Sequence, residues 1–322
     1  HDYDGSEDVR QFYRAEFSKI RTSHHLRRYI PSNWPDEASL EVLIHNSSGN
    51  FIYPATIIKY LTDHPRRSPV HLLQGVLTTA TTQAGPENPL AQLDSLYTLI
   101  LHPPDADFDL MKTLLHTILA TTRAHIAGSW LSDPGVLDQF FHLEPGTVES
   151  TLCDLHSILY IPQTSTEASF ASSRSSNPRI TFHHKTLQDF LLTPWRSKDL
   201  FQPLRATYLD LALRCTLHIV SWADKSYPTP TFDLVTAFSC AHWFNLLANS
   251  LDQSDRDTSL PDVPEGLLNF HPKWIWTFTL IHRVPTVKLG LDPARDRVHQ
   301  SLVSANFSLH HTPRTWTTNS PF

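Results

Sequence analysis

Apolar side chains recur every three or four residues along most of the first 250 residues, the spacing of helices with one buried face. The pattern is clearest over residues 8–21, 91–101 and 110–120. Two further stretches, residues 201–220 and 229–251, also favour helices. The sequence therefore predicts a mainly α-helical chain.

Two prolines, Pro103 and Pro104, separate the second and third of the clearest helices. Proline supplies no backbone N–H and disfavours helix in the residue before it. We therefore predict a domain boundary here. Asp105 and Asp107, just beyond the prolines, are expected to cap the following helix rather than to form a catalytic carboxylate pair.

The pattern changes near residue 146, where helical and strand-like segments alternate. The predicted order is helix, helix, strand, loop, strand, which is typical of a winged helix whose two strands form the wing. Between the strands, residues 164–176 include eight Ser or Thr residues, which predicts a long flexible wing loop. The segments are a helix over 146–159, strands over 158–161 and 179–183, and a final helix over 184–192.

The predicted fold is thus a helical bundle, a winged-helix domain with a two-stranded wing, and a helical extension. The four predicted parts are residues 1–103, 104–200, 201–250 and 251–322. In the last part, scattered Trp, Pro and His residues follow no period, so we leave it unassigned and expect a poorly structured tail.

Composition narrows the classes of function. Hydrophobic residues make up 40% of the 322 residues, which excludes a disordered chain. The net charge of −6 gives no indication of a nucleic-acid partner, and no apolar run approaches the roughly 20 residues that a membrane span needs. Three widely separated cysteines favour a reducing compartment, so we expect a cytoplasmic chain. Because residue 1 is His rather than Met, we also expect a fragment, a processed product or an incomplete gene model.

Glycine is scarce and widely spaced: there are nine glycines, and the closest two lie seven residues apart. A P-loop needs glycines five apart, a dinucleotide-binding loop needs them two and three apart, and a nucleophile elbow needs them four apart. None of these spacings occurs in the sequence. The spacing removes the sequence support for these three classes of enzyme. Because the P-loop is absent, we predict that this chain is not an enzyme and carries no cofactor of its own.

Three segments of the sequence, at 48–60, 89–101 and 184–191, carry recognisable motifs. Together they resemble motifs of the fungal NACHT-type STAND NTPases, which are nucleotide-driven signalling switches. SGNFIYPATIIKY at 48–60 is similar to the family's helix behind the nucleotide site, and PLAQLDSLYTLIL at 89–101 is similar to the helix that enters its winged helix. HKTLQDFL at 184–191 is similar to a His-Lys-Ser-Phe-x-Asp-Phe-Leu motif that ends that domain. A weaker fourth match is CAHW at 240–243.

The resemblance implies a regulatory, autoinhibitory segment that lies C-terminal to a missing NTPase core. That core would be its partner and would bind ADP or ATP with Mg²⁺, and the intact parent would oligomerise when active. The winged helix would close over ADP, with His184 reaching the diphosphate. Non-self recognition or programmed cell death is the process that the family suggests.

Gly49 and Phe51 are the other residues that the resemblance places near the nucleotide. Related switches often carry Gly-x-Pro at this point, whereas this chain has Gly49-Asn50-Phe51, with its proline at Pro54. Phe51 is expected either to pack in the helix core or to stack on a base. Pro54 is expected to kink the helix.

Two alternatives lie outside this family. A winged helix can bind DNA, but the predicted recognition helix over 146–159 carries Glu149 and Asp154 and has no Lys or Arg. Twenty histidines suggest a metalloenzyme, yet the neighbouring pairs at 24–25, 183–184 and 310–311 lack metal-site spacing, so we expect no metal.

Overall fold

The structure, a computed structural model, is mainly helical with one two-stranded antiparallel sheet in the part of the chain that it describes. Its residues pack into two units, one ending at Thr207 and the other beginning at Tyr208. The predicted wing loop and the predicted tail lie outside the described residues. Those are 5–48, 50–64, 67–82, 90–103, 107–124, 126, 130–162, 179–223 and 233–250.

Four helices begin the first unit, and their buried faces follow the predicted period. In the first helix, Val9, Tyr13, Phe17 and Ile20 are buried on one side, as the spacing over 8–21 predicts. These helices pack against one another in sequence order. They are α1 (Gly5–Ser23), α2 (Glu37–Ser47), α3 (Ile52–Thr62) and α4 (Pro69–Thr82).

The expected kink at Pro54 is wrong. Pro54 is the third residue of α3, within the first turn. The N–H groups of a first turn have no partner inside the helix, so the missing N–H of proline costs no helical hydrogen bond there. The helix continues past this residue to Thr62.

The next two helices flank the predicted boundary. They are α5 (Ala91–Ile100) and α6 (Phe108–Arg123), and Asp107 caps α6 by accepting a bond from the Leu110 N–H at 3.0 Å. The capping role predicted for Asp107 is therefore confirmed, whereas Asp105 lies outside the described residues. Helix α5 packs against α3 and α4 and also contacts the short helix Pro194–Ser197, and the domain boundary at residue 103 stays a prediction.

The segment predicted as a winged helix contains short helices and a minimal sheet. Leu159 pairs with Phe182, and Tyr160 pairs with Thr181. Before the first strand, a 3₁₀ turn spans Cys153–Leu155. The elements are α7 (Pro134–Phe140), α8 (Thr147–Leu152), β1 (Leu159–Tyr160), β2 (Thr181–Phe182), α9 (Lys185–Leu191) and α10 (Pro194–Ser197).

The helix predicted over 146–159 is too long, since α8 ends at Leu152. The chain must extend soon afterwards because the Ile158 carbonyl accepts a bond from the His183 N–H at 3.0 Å and Leu159 enters the ladder. Leu155 and Leu159 suit either a helical face or a buried strand, and tertiary pairing decides between the two.

Asp138 of α7 organises the start of α8. It is buried, and its carboxylate accepts bonds from the Gly146 N–H at 2.7 Å and the Val148 N–H at 2.9 Å. Gly146 has a φ of 87°, a conformation that favours glycine. The two residues together fix the turn that leads into α8.

Replacing Asp138 with alanine is expected to lower the free energy of unfolding by about 2–3 kcal/mol, because two N–H groups lose a charged acceptor. Urea denaturation followed by far-UV circular dichroism measures the loss. Asp133→Ala is the matched control, since it removes one cap bond, from the Val136 N–H, and should cost about 1 kcal/mol. Equal losses from the two variants would contradict this account.

Two longer helices complete the described chain, and both were predicted from the apolar pattern. They are α11 (Leu204–Ala223) and α12 (Leu234–Ser250). In the second unit, Cys215 and Cys240 are buried free thiols. None of the helices searched among the described residues is long and apolar enough to cross a membrane.

Candidate functional site

His184 stands at the junction between β2 and α9. It is the N-cap of α9, with extended backbone angles of φ −136° and ψ 142°, and its side chain makes no capping hydrogen bond. The residue is exposed. The imidazole therefore faces solvent at the start of a helix whose other side is buried through Leu187, Phe190 and Leu191.

Phe51 does not lie in the helix core, so that expectation is wrong. It is the N-cap of α3 and is 46% exposed, with its ring edge-on to that of Phe12 at 5.9 Å. The chain turns into α3 at this point because the Asn50 side chain accepts a bond from the Ile52 N–H at 2.8 Å. The alternative role, stacking on a base, stays a prediction, and Gly49 lies outside the described residues.

The structure places α3, the helix of the 48–60 motif, beside His183, which comes just before the 184–191 motif. Lys59 of α3 has its Nζ 3.1 Å from Nε2 of His183, a residue 124 positions later in the chain. Both side chains are exposed. Among the described residues, Phe51 packs against Phe12 of α1, and His183 contacts Lys59 of α3. Phe51 and His184, the two predicted nucleotide contacts that are described, therefore have different surroundings: α1 for Phe51 and the β2–α9 junction for His184.

A second polar contact lies beyond the end of α3. The guanidinium of Arg67 is 3.6 Å from the carboxylate of Asp154, in the 3₁₀ turn after α8. Nearby, His64 is buried with its ring 4.7 Å from that of Tyr60, and burial lowers its pKa. Two surface contacts, Lys59 with His183 and Arg67 with Asp154, thus connect α3 and its exit to the strand-bearing segment.

A buried ion pair joins the second motif to the chain just after the third motif. Asp94 of α5 accepts two hydrogen bonds from Arg196 of α10, at 3.0 Å from Nε and 2.6 Å from Nη2. The two side chains are only 11% and 8% exposed. The Arg196 guanidinium also lies 5.8 Å from the centre of the Phe190 ring. This bidentate geometry fixes both the distance and the orientation between α5 and α10.

Tyr97 links the second motif directly to the third. Its hydroxyl is 2.8 Å from that of Thr186 in α9, and its ring packs 5.5 Å from Phe190. Burial raises the pKa of Tyr97 to about 12, so the phenol stays neutral and keeps its proton for hydrogen bonding. Asp94 and Tyr97 therefore hold α9 and α10 on one face of α5.

The chain after α10 is anchored to α6 in the same way. His116 is fully buried, and its Nε2 donates to the Leu200 carbonyl at 2.9 Å. Lys112 donates to the Asp199 carbonyl at 2.5 Å. Nε2 of His102 lies 2.9 Å from the Asp199 carboxylate and lowers its pKa. Residues 184–200 are thus held through Thr186 near one end and through Asp199 and Leu200 at the other, and His184 is exposed just before α9.

Sequence reasoning missed Lys59, Asp94 and Arg196. The pattern predicted the helices that carry Lys59 and Asp94, but each partner lies about 100 or more residues away. Asp94 and Tyr97 did stand in a recognised motif, and that was the available signal.

The described residues contain no group of three or more His, Cys, Asp or Glu side chains arranged to hold a metal ion. Lys, His and aromatic side chains on the described surface offer hydrogen bonds and stacking instead. Comparison with protein-family models, with curated proteins and with solved structures finds no match to this chain.

Proposed function

We propose that this chain is the regulatory segment of a cytoplasmic NACHT-type STAND NTPase of fungal type. In this proposal, residues 104–200 form a winged helix that closes over ADP bound to a separate NTPase core. His184 donates a hydrogen bond to the diphosphate, and the chain itself catalyses no reaction. The nucleotide and Mg²⁺ belong to the core.

One observation carries the proposal. The motifs at 89–101 and 184–191 were recognised separately in the sequence, and they pack against each other through Tyr97, which contacts Thr186 and Phe190. The helix that begins at His184 is thereby held rigid, which favours a defined contact with a ligand.

The residues present fit a nucleotide in part. His184 has an exposed ring without a capping bond, which suits an anionic oxygen, and Phe51 has an exposed ring. They do not form a phosphate cradle by themselves, and the glycine spacing of a P-loop does not occur in the sequence. The proposal therefore needs the NTPase core to supply the phosphate loop.

The alternative of a DNA-binding winged helix gains no support from charge. Helix α8 carries Glu149 and neither Lys nor Arg, and Asp154 follows it. A recognition helix next to phosphates needs cations. A gel shift with generic duplex DNA at low salt would detect such binding if this alternative were correct.

The first experiment is to sequence the coding region immediately upstream of His1. The proposal expects a Gly-x-x-x-x-Gly-Lys-Ser/Thr loop in the same reading frame. The encoded full-length protein should then retain ADP through purification, whereas the present chain alone should not bind ADP at millimolar concentration by calorimetry. An upstream region without a P-loop, or ADP binding by this chain alone, would overturn the proposal.

In that full-length protein, His184→Gln is expected to speed ADP release about 30-fold. This factor corresponds to about 2 kcal/mol for one charge-assisted hydrogen bond. Stopped-flow displacement of a fluorescent ADP measures the rate. His71→Gln is the matched control, because His71 is exposed on α4. Equal release rates for both variants would remove His184 from the nucleotide site.

A further inference from the structure

His183 has one ring nitrogen that faces two partners. Nε2 lies 3.1 Å from Nζ of Lys59 in α3 and 3.1 Å from the backbone carbonyl of His156. The backbone of His183 is already fixed, since its N–H donates to the Ile158 carbonyl at 3.0 Å. The choice between the two partners is therefore made by the ring alone.

The two partners require opposite states of this nitrogen. The Lys59 ammonium is only a donor, so it can bond to Nε2 only when Nε2 carries a lone pair. The His156 carbonyl is only an acceptor, so it can bond only when Nε2 carries a proton. A doubly protonated ring carries a proton on both nitrogens, and in that state Lys59 is repelled while the His156 carbonyl bond strengthens.

We propose that His183 is a positioning residue whose ring changes its hydrogen-bond partner on protonation. The partner changes from Lys59 in α3 to the His156 carbonyl in the turn before β1. In its neutral form with a lone pair on Nε2, it accepts from Lys59 and ties the β2–α9 junction to α3. In its protonated form it donates to His156 and releases Lys59. Because His184 is the next residue, this exchange decides whether the start of α9 is attached to the helix of the first motif.

The surrounding charges set the direction in which acid acts. Burial lowers the pKa of His183 below its ordinary value of 6.5, and Lys59 and the neighbouring His184 lower it further. The bond to the His156 carbonyl and the nearby Asp63 carboxylate act in the opposite direction. The Arg67–Asp154 ion pair links the same two parts of the chain and has no histidine in it. Acidification should therefore open the Lys59 contact and leave this second contact in place.

The test is ¹⁵N NMR of the chain labelled at histidine, with the His183 signals assigned by their loss in His183→Gln. At pH 7.5 the wild-type Nε2 should show the chemical shift of an unprotonated nitrogen. In Lys59→Met, Nε2 should carry the proton, and the measured pKa should rise by at least half a unit. Lys59→Arg keeps a donor and should restore the wild-type tautomer.

The control is Lys19→Met, which removes an exposed lysine that pairs with Glu16 on α1. It should leave the His183 signals unchanged. An Nε2 that is protonated at pH 7.5 in the wild type, or a tautomer and pKa that are the same in Lys59→Met, would overturn the inference. Circular dichroism confirms that each variant is folded.

The role of His184 in this inference rests on the proposed function, but the measurement does not, because it uses the chain without nucleotide. If the tautomer switches as expected while His184→Gln leaves ADP release unchanged in the full-length protein, the contact stands and the nucleotide function fails. If ADP release changes while the tautomer does not, the proposed function stands and the proton-dependent contact fails.

Discussion

Replacing Arg196 with methionine is expected to lower the free energy of unfolding of the first unit by about 3–5 kcal/mol. The methionine keeps much of the packing volume but leaves the Asp94 carboxylate, which is 11% exposed, without its bidentate partner. A buried carboxylate without its counter-ion bears most of its desolvation cost. Urea denaturation followed by far-UV circular dichroism measures the loss.

Two control variants separate the charge from the packing. Asp94→Leu combined with Arg196→Met removes both charges and should recover most of the lost stability, because apolar replacement of a buried pair is often neutral. Arg14→Met breaks an exposed ion pair with Glu37 and should cost less than about 1 kcal/mol. If the double variant is as unstable as Arg196→Met, packing rather than charge explains the loss.

The second large effect is a loss of stability in acid that depends on His116. Burial in α6 lowers the pKa of His116 from 6.5 to about 4. As the pH falls below 6.5, the unfolded chain binds a proton at this residue and the folded chain does not. The folded state therefore loses stability between pH 6.5 and about 4, by about 3 kcal/mol in total, and gains none of it back in stronger acid.

Two substitutions of His116 test this expectation. His116→Gln keeps a donor for the Leu200 carbonyl and should flatten the fall in stability between pH 7 and pH 4 by about 3 kcal/mol relative to wild type. His116→Leu should flatten it equally but should be less stable at every pH, because the Leu200 carbonyl loses its donor. Urea midpoints across this range give both values, and a variant with the wild-type slope would contradict the assignment.

Local sequence features predicted the helices well. Val9, Tyr13, Phe17 and Ile20 are spaced as one helical face, and that face is the buried one. Asp107 follows a proline pair and caps α6, as its position indicated. Such features depend on residues close together in the chain, so periodicity and capping chemistry are sufficient to find them.

Features set by distant residues could not be predicted in this way. Residues 153–158 continue a helical apolar pattern, yet they leave the helix because Ile158 and Leu159 meet β2. The expectation that Phe51 lies in the core was wrong for a related reason. The Asn50 side chain accepts a bond from the Ile52 N–H, so α3 begins at Ile52 and the Phe51 ring stays at the surface. An asparagine side chain can bond to nearby backbone groups and so compete with helix formation. Whether it does so at a given position depends on how the helix packs in the fold.

The candidate site was predicted only as single residues. His184 was chosen from a motif, and the structure gives its surroundings: Lys59 beside the preceding residue, and Thr186 held by Tyr97. No spacing rule links position 59 with 183, because the contact depends on how two helices and a hairpin pack. The chemistry of the His183 nitrogen becomes visible only when both partners are in place.

The Asp94–Arg196 pair joins residues 102 positions apart, which has a consequence for synthesis on the ribosome. At roughly 5–20 residues per second, Asp94 is made about 5–20 seconds before Arg196. During that interval α5 has an acidic group and an apolar face that await a partner not yet translated. The ion pair that fixes α5 against α10 can therefore form only after the whole segment between them has been synthesised.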